Sequence, residues 1–267
     1  MTAKFRERLL KAMFFSACAS SAGVTWLVWT GSGAGGGGAI RGLPPLQEAV
    51  PVYAATAGLV ACVLYALVLI GIIAFRAGKS ASPEIFFFAV WAFGLSLELG
   101  QVMAIWMSYS GAALSTVSLS SRLALFGRYL SLMGLFMGSI FSVGLKQERM
   151  GLLLSAAILV ALFFGTIHPL NVVTAETGVI VELGYGRLMR FFEISIMCLI
   201  GVNYTLAWRE NRDKAFLRAG LGLALCVPAV WILRAVTSIP MVFAALPFLI
   251  LGTWLYFKNL FVYYLWR

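Results

Sequence analysis

The feature that most constrains the fold is a succession of apolar runs, each about 20 residues long and separated by short polar segments. A run of that length is long enough to cross the hydrocarbon core of a bilayer as one helix. The chain is 61% apolar and only 11% charged, whereas a soluble domain carries about 25% charged residues. The pattern predicts an all-α fold, a polytopic membrane helix bundle.

Eight such runs predict about eight transmembrane helices, which short connections should make antiparallel to their neighbours. The chain is accordingly divided into an N-terminal transmembrane helix or signal anchor at 1–30, a Gly/Pro-rich external linker at 31–50 and a seven-helix membrane bundle at 51–267. The predicted spans are 11–30, 52–75, 85–109, 121–145, 150–169, 188–208, 216–236 and 241–261.

The basic residues between the spans predict the orientation. Thirteen of them fall on one side and five on the other, and the richer side is expected to be cytoplasmic. Both termini are then cytoplasmic, as expected for a multi-pass protein of the inner (cytoplasmic) membrane. The formal charge of +10 is thereby explained by topology, and no nucleic-acid partner is expected. The thirteen are Lys4, Arg6, Arg8, Lys11, Arg76, Lys79, Lys146, Arg149, Arg209, Arg212, Lys214, Arg218 and Arg267, and the five are Arg41, Arg122, Arg187, Arg190 and Arg234.

Two segments have alternative interpretations. The basic start and apolar stretch up to Cys18 are typical of a cleaved signal peptide, but the apolar run continues through Trp29, which favours a retained helix. The β-branched pairs around Thr174–Gly178 predict a short external β-hairpin, with an irregular loop as the alternative.

Polar residues inside the spans are the best indicators of function, because an ionisable group in the bilayer is costly and usually faces protein or water. Under the predicted topology, six such residues from five helices lie in the external half of the bundle, and Asn203 is the main exception in the other half. The candidate ligand-binding residues are Glu98, Gln101, Arg128, His168, Glu193 and Arg234.

Two interpretations of these residues stay open. They line an externally facing polar cavity for an anionic or polar head group, such as that of a membrane lipid. Alternatively, Glu98–Arg128 and Arg190–Glu193 are ion pairs that lock the helices together.

The sequence offers little for catalysis. Its four cysteines all lie inside apolar runs and His168 is its only histidine, which is too few ligands for a zinc or haem site. No nucleophile accompanies the in-span glutamates. We therefore expect no enzyme, no metal and no cofactor.

Short motifs carry a family resemblance. The segment 88–98, ending in Leu97-Glu98, resembles a Trp-x-x-Gly-x-x-Leu-Glu style segment, and Arg128-Tyr129-Leu130 resembles an Arg-x-Tyr-Leu-Gly style stretch. Thr166-Ile167-His168 resembles a Thr-Asn-x-His segment that precedes a hairpin-like loop. Both the motifs and the seven spans from 52 to 261 resemble the N-terminal seven-transmembrane sensor region of bacterial histidine kinases and related signalling proteins.

The resemblance implies signal transduction. It predicts a membrane sensor or ligand-binding module that acts through another membrane or cytoplasmic protein, since no kinase or cyclase segment follows the last span. The alternative is a structural or scaffolding subunit of a larger membrane complex, and a small transporter is a third candidate, although no internal repeat supports it.

Overall fold

A computed structural model describes the backbone of residues 2–33, 46–77, 82–109, 113–175 and 178–265, and the side chains of 2–26, 52–76, 82–108, 113–170 and 184–260. This part of the chain is helical apart from one pair of strands. Its helices are α1 (Ala3–Gly33), α2 (Leu46–Ile72), α3 (Pro83–Ser96), α4 (Leu99–Tyr109), α5 (Leu114–Ser142), α6 (Met150–Ile167), α7 (Gly186–Asn211), α8 (Lys214–Arg234) and α9 (Ile239–Leu265), and its strands are β1 (Leu170–Ala175) and β2 (Gly178–Leu183). A π-helical turn, Ile73–Ala77, ends α2, and a 3-10 turn, Gln147–Arg149, precedes α6.

Seven segments of the described chain are long and apolar enough to cross a membrane, which confirms the helix bundle and is consistent with a multi-pass membrane protein. The residues described in α1 do not meet this criterion, and the predicted first span at 11–30 extends beyond the described side chains. An eighth span therefore stays a prediction. The seven are Val52–Arg76, Pro83–Ser108, Leu114–Ser142, Gln147–Ile167, Gly186–Asn211, Lys214–Arg234 and Ile239–Leu260.

The predicted linker at 31–50 lies mostly outside the described residues. Helix α1 continues to Gly33 and α2 begins at Leu46, so both helices extend into the predicted linker. Residues 34–45 are not described.

Helix α3 lies at the centre of the bundle. Thirteen of its fourteen residues are buried, as expected for a helix that is apolar on all sides. Its start is defined by Pro83 in the first turn and by Ser82, whose hydroxyl accepts a hydrogen bond from the Ile85 amide at 3.4 Å. Burial decreases outward: 72% of the most apolar window of Pro83–Ser108 is buried, against 17% for α7.

Glycines allow the backbones of α3 and α5 to come into direct contact. A Cβ built on Gly94 would lie 2.3 Å from Ser131 Oγ and 2.5 Å from the Gly127 carbonyl oxygen, and one on Gly127 would lie 2.6 Å from the Gly94 oxygen. Gly222 and Gly252 make the same kind of contact between α8 and α9. Such small-residue contacts are a common way for helices to pack in membranes, where no hydrophobic drive brings them together.

The third span is interrupted, which differs from the continuous helix predicted at 85–109. The backbone amides of Leu97 and Glu98 donate hydrogen bonds to carbonyl oxygens three residues back. Leu97 N lies 3.2 Å from Gly94 O, and Glu98 N lies 3.1 Å from Leu95 O. The chain tightens into a 3-10-type turn between α3 and α4. Interruptions of this kind are tolerated at membrane depth only where they are buried in protein or line a cavity.

The two strands pair antiparallel, from Leu170 opposite Leu183 to Ala175 opposite Gly178. This is the strand pair predicted around Thr174–Gly178, and it begins two residues earlier than the first β-branched pair. The Gly184 amide donates to the Pro169 carbonyl at 2.9 Å and closes its base. The side of the membrane that it faces stays a prediction.

Candidate functional site

A buried carboxylate flanked by two guanidinium groups lies at the interruption between α3 and α4. Glu98 is fully buried, and Arg128 binds it through both of its oxygens, with Nε to Oε1 at 2.9 Å and Nη2 to Oε2 at 3.0 Å. This confirms the predicted proximity of Glu98 and Arg128. Arg234 Nη2 lies 2.7 Å from Glu98 Oε1 and completes the network. We call these three residues the ion network.

Three separate elements position the ion network. Glu98 lies in the turn after α3, Arg128 lies in α5 one residue after the close contact at Gly127, and Arg234 is the last residue of α8. The network therefore links α5 and α8 to the point where the third span is interrupted. Because a buried charge without a partner is costly, these links also constrain how the three elements can move apart.

Arg234 is the incompletely bonded member. Its side chain is 14% exposed, and its Nη2 is paired with Glu98. Nε of Arg234 is buried and has no hydrogen-bond partner among the described residues. A guanidinium can donate five hydrogen bonds, so the network retains donor capacity.

A small cavity adjoins the ion network. It measures about 30 Å³ and is lined by Arg128, Arg234, Glu193 and Ser131 together with apolar side chains. A water molecule needs a cavity volume of about 10–15 Å³, so this cavity has room for about two water molecules. Glu193 forms no ion pair with any residue that the structure describes. The cavity thus places one carboxylate and two guanidinium groups around a water-sized space.

Three of the six predicted site residues are not among the described residues that line this cavity. Glu98 is paired with two residues that do line it, whereas Gln101 and His168 form no ion pair with the network. His168 connects the end of α6 to the base of the strand pair: Nε2 lies 2.8 Å from the Gly184 carbonyl oxygen, and Nδ1 lies 3.0 Å from the Tyr129 hydroxyl. Since the carbonyl only accepts, Nε2 donates, and in the neutral imidazole Nδ1 then accepts from the Tyr129 hydroxyl. Both ring nitrogens are therefore occupied by protein partners.

The predicted Arg190–Glu193 ion pair is not formed. Glu193 faces the cavity, whereas Arg190 is exposed and donates weakly from Nε to the Gly186 carbonyl at 3.4 Å. Spacing by three residues on a helix allows a pair but does not require one. Here Glu193 turns inward, toward the two arginines.

A second polar cluster lies at the opposite end of α3, in the half where Asn203 was the main polar residue expected. Glu84 is 1% exposed, and its carbonyl oxygen accepts from the Tyr256 hydroxyl at 3.3 Å. Tyr204 donates in turn to Tyr256 at 3.2 Å. The prediction that Asn203 is the main polar residue of this half did not include Glu84, which the structure buries here. The sequence did not predict the burial of Glu84, because Glu84 directly precedes the apolar run and resembles a residue at the membrane interface.

The chemistry of the site is that of binding by charge and hydrogen bonds. Guanidinium groups suit carboxylate or phosphate oxygens, which they can bind in a bidentate manner. Among the residues that the structure describes, no group of three His, Cys, Asp or Glu side chains is arranged to hold a metal ion.

Comparison with known proteins adds no family. The chain matches no family model and no curated protein. The resemblance to seven-helix sensor regions consequently stays a prediction.

Proposed function

We propose that the chain is a membrane sensor module that binds a small anionic or polar group at the ion network and acts through a partner protein. The observation that carries the proposal is the buried Nε of Arg234, which has no hydrogen-bond partner among the described residues and belongs to a guanidinium beside a cavity lined by Glu193 and Arg128. Leaving a buried donor unsatisfied costs about 1–3 kcal/mol. A ligand oxygen that accepts from this donor would recover that energy.

The position of the network supports sensing rather than mere packing. A ligand anion that binds Nε of Arg234 competes with Glu98 for the positive charge of the same guanidinium group. It would thereby weaken the links among the interrupted span, α5 and α8, and favour an arrangement in which they are farther apart. A ligand shifts a conformational equilibrium only by its difference in affinity for the two states, and a described cavity of about 30 Å³ implies that the ligand-bound state is more open.

Orientation completes the proposal. With both termini in the cytoplasm, as the distribution of Lys and Arg indicates, the cavity is reached from the external side and the partner acts from within or beneath the membrane. We propose the inner membrane as the location.

Acetate is a suitable probe because it carries a carboxylate and little else. The chain in zwitterionic nanodiscs is heated in sodium acetate or in sodium chloride at equal ionic strength, and unfolding is followed by circular dichroism. At about tenfold excess over Kd, binding adds about 1.4 kcal/mol. We expect a rise in Tm of about 3–6 °C for a chain of this size.

The matched variants are Arg234→Gln and Arg190→Gln, which each remove one cation. Arg234→Gln should abolish the acetate effect, whereas Arg190→Gln should retain it, because Arg190 is exposed and outside the network. Equal Tm values in acetate and chloride for the unmodified chain would overturn a site for small carboxylates. An acetate effect that persists in Arg234→Gln would place the site elsewhere.

A structural subunit of a larger complex is the second candidate. Two observations favour it. Only 17% of an apolar window of α7 is buried, and a Cβ added at Gly201 would meet nothing within 4 Å. Small residues on an unoccupied helix face suit packing by another membrane helix.

A further inference from the structure

A large apolar groove lies between α2 and α9, outside the ion network. It measures about 730 Å³, and its walls include Leu64, Val68, Ile250 and Trp254. These four side chains are exposed in the described structure. In a bilayer such a groove faces hydrocarbon, so an apolar chain is expected to fill it.

The floor of the groove has satisfied polar groups. Thr253 donates to the Leu249 carbonyl at 2.8 Å, and the Tyr65 hydroxyl therefore donates to Thr253 Oγ1, with which it forms a short contact. No donor of this pair remains for a polar occupant. A polar ligand along the floor would lose its own hydrogen bonds, which is unfavourable.

Two basic side chains adjoin the groove, one at its end and one beside its wall. Arg76 lines it at the end of α2, and Lys258 lies over Trp254, with Nζ 4.5 Å from the ring centroid. Both side chains are exposed, and neither forms an ion pair with a residue that the structure describes. Long basic side chains at the ends of membrane helices reach the head-group region.

The length of the groove fits one acyl chain. From Ala61 to Arg76, fifteen residues along α2 rise about 22 Å. One leaflet contributes about 15 Å of hydrocarbon, half of the bilayer core. An apolar channel of at least that length that ends at a cation, Arg76, with Lys258 beside its wall at Trp254, matches a charged head followed by a tail.

We propose that this groove binds an anionic phospholipid, with one acyl chain along α2 and α9 and the phosphate at Arg76 and Lys258. The proposal goes beyond the sensor function and does not depend on it. The positive-inside prediction assigns this end to the cytoplasmic leaflet, where anionic lipids attract basic residues.

Trp254 provides a local readout. The chain is reconstituted with phosphatidylcholine that contains equal mole fractions of chain-brominated phosphatidylglycerol or chain-brominated phosphatidylcholine, and fluorescence quenching is measured. Subtracting the signal of Trp254→Phe isolates the groove tryptophan from the others. We expect Trp254 to prefer the anionic quencher, and each cation removed by Arg76→Gln or Lys258→Gln to lower the preference about fivefold.

Two controls separate the outcomes. Arg187→Gln removes a cation from the start of α7 and should leave the preference intact, and Val68→Phe should reduce quenching by both lipids because it fills the groove. Equal quenching by both brominated lipids in the unmodified chain overturns the proposal, as does a preference that survives Arg76→Gln/Lys258→Gln. Absence of Trp254 quenching by either lipid also overturns it and indicates that another occupant, such as a second copy of the chain, covers the groove.

Discussion

At the scale of single residues, Glu98 is the residue on which the ion network depends. It is fully buried and is the shared partner of Arg128 and Arg234. Burying an ion pair does not by itself stabilise a protein, because desolvation offsets the attraction. Removing the charge of Glu98 is destabilising, because it leaves the positive charges of Arg128 and Arg234 close together without an anion between them.

Glu98→Gln should therefore be the most destabilising single change in the network, with a loss of about 3–5 kcal/mol. Arg128→Met and Arg234→Met each leave Glu98 with one guanidinium and should cost about 1.5–3 kcal/mol. The free energy of unfolding is measured by titration with denaturing detergent, followed by circular dichroism.

The control is the triple change Glu98→Leu/Arg128→Met/Arg234→Met, which removes every charge of the network. Its loss should be smaller than that of Glu98→Gln alone. If it equals the sum of the separate losses of Glu98→Leu, Arg128→Met and Arg234→Met, the residues do not interact and the network contributes no coupling energy.

His168 has a local role at the strand pair. His168→Ala removes its bonds to Gly184 and Tyr129, so the backbone amides of β1 and β2 should exchange hydrogen faster. Tyr129→Phe removes only one of the two bonds and should have a smaller effect. Unchanged exchange in His168→Ala would mean that the strand pair is held by other contacts.

At the scale of elements, the contact between α3 and α5 depends on glycine. Gly94→Ala would place a methyl group 2.5 Å from the Gly127 carbonyl oxygen, and the backbone cannot yield as a side chain can. We expect a loss of about 1–3 kcal/mol in the free energy of unfolding. The test is the same detergent titration.

Gly201→Ala is the matched control, because an added Cβ there meets nothing within 4 Å. A helix gains about 0.5–1 kcal/mol when an interior glycine becomes alanine without a clash, so this variant should be neutral or stabilised. A Gly94→Ala protein as stable as the unmodified chain would refute the close contact.

The sequence determines the elements better than their interior contacts. Apolar length alone locates seven spans, and the opposite charges of Glu98 and Arg128 predict their pairing, since few other partners are available within the bilayer. The participation of Arg234 and the inward turn of Glu193 depend on how the helices are rotated, which spacing along one helix does not specify. The interruption at Leu97–Glu98 likewise has no Pro to mark it.

At the scale of the whole molecule, orientation is the first prediction to test. With both termini in the cytoplasm, a cysteine introduced as Gly178→Cys should react with a membrane-impermeant maleimide in intact cells, in a background where the other cysteines are replaced. Reaction only after lysis would reverse the topology and place the cavity on the cytoplasmic side.

The behaviour of a partner protein distinguishes the proposed sensor from a structural subunit. Copurification from native membranes followed by mass spectrometry should identify a protein whose retention changes when acetate replaces chloride, because a sensor couples ligand binding to its partner. A partner retained at constant stoichiometry in both salts would instead favour the structural subunit.

The most direct test of the central claim is hydrogen exchange at residues 94–102, which span the interruption beside the ion network. In nanodiscs, acetate should speed exchange there in the unmodified chain, because a ligand anion at Nε of Arg234 competes with Glu98 for the positive charge of the same guanidinium group. Glu98→Gln should exchange fast without acetate and respond little to it, while the α9 segment around Gly252 stays unchanged in both. Exchange at 94–102 that neither acetate nor Glu98→Gln accelerates would contradict the account.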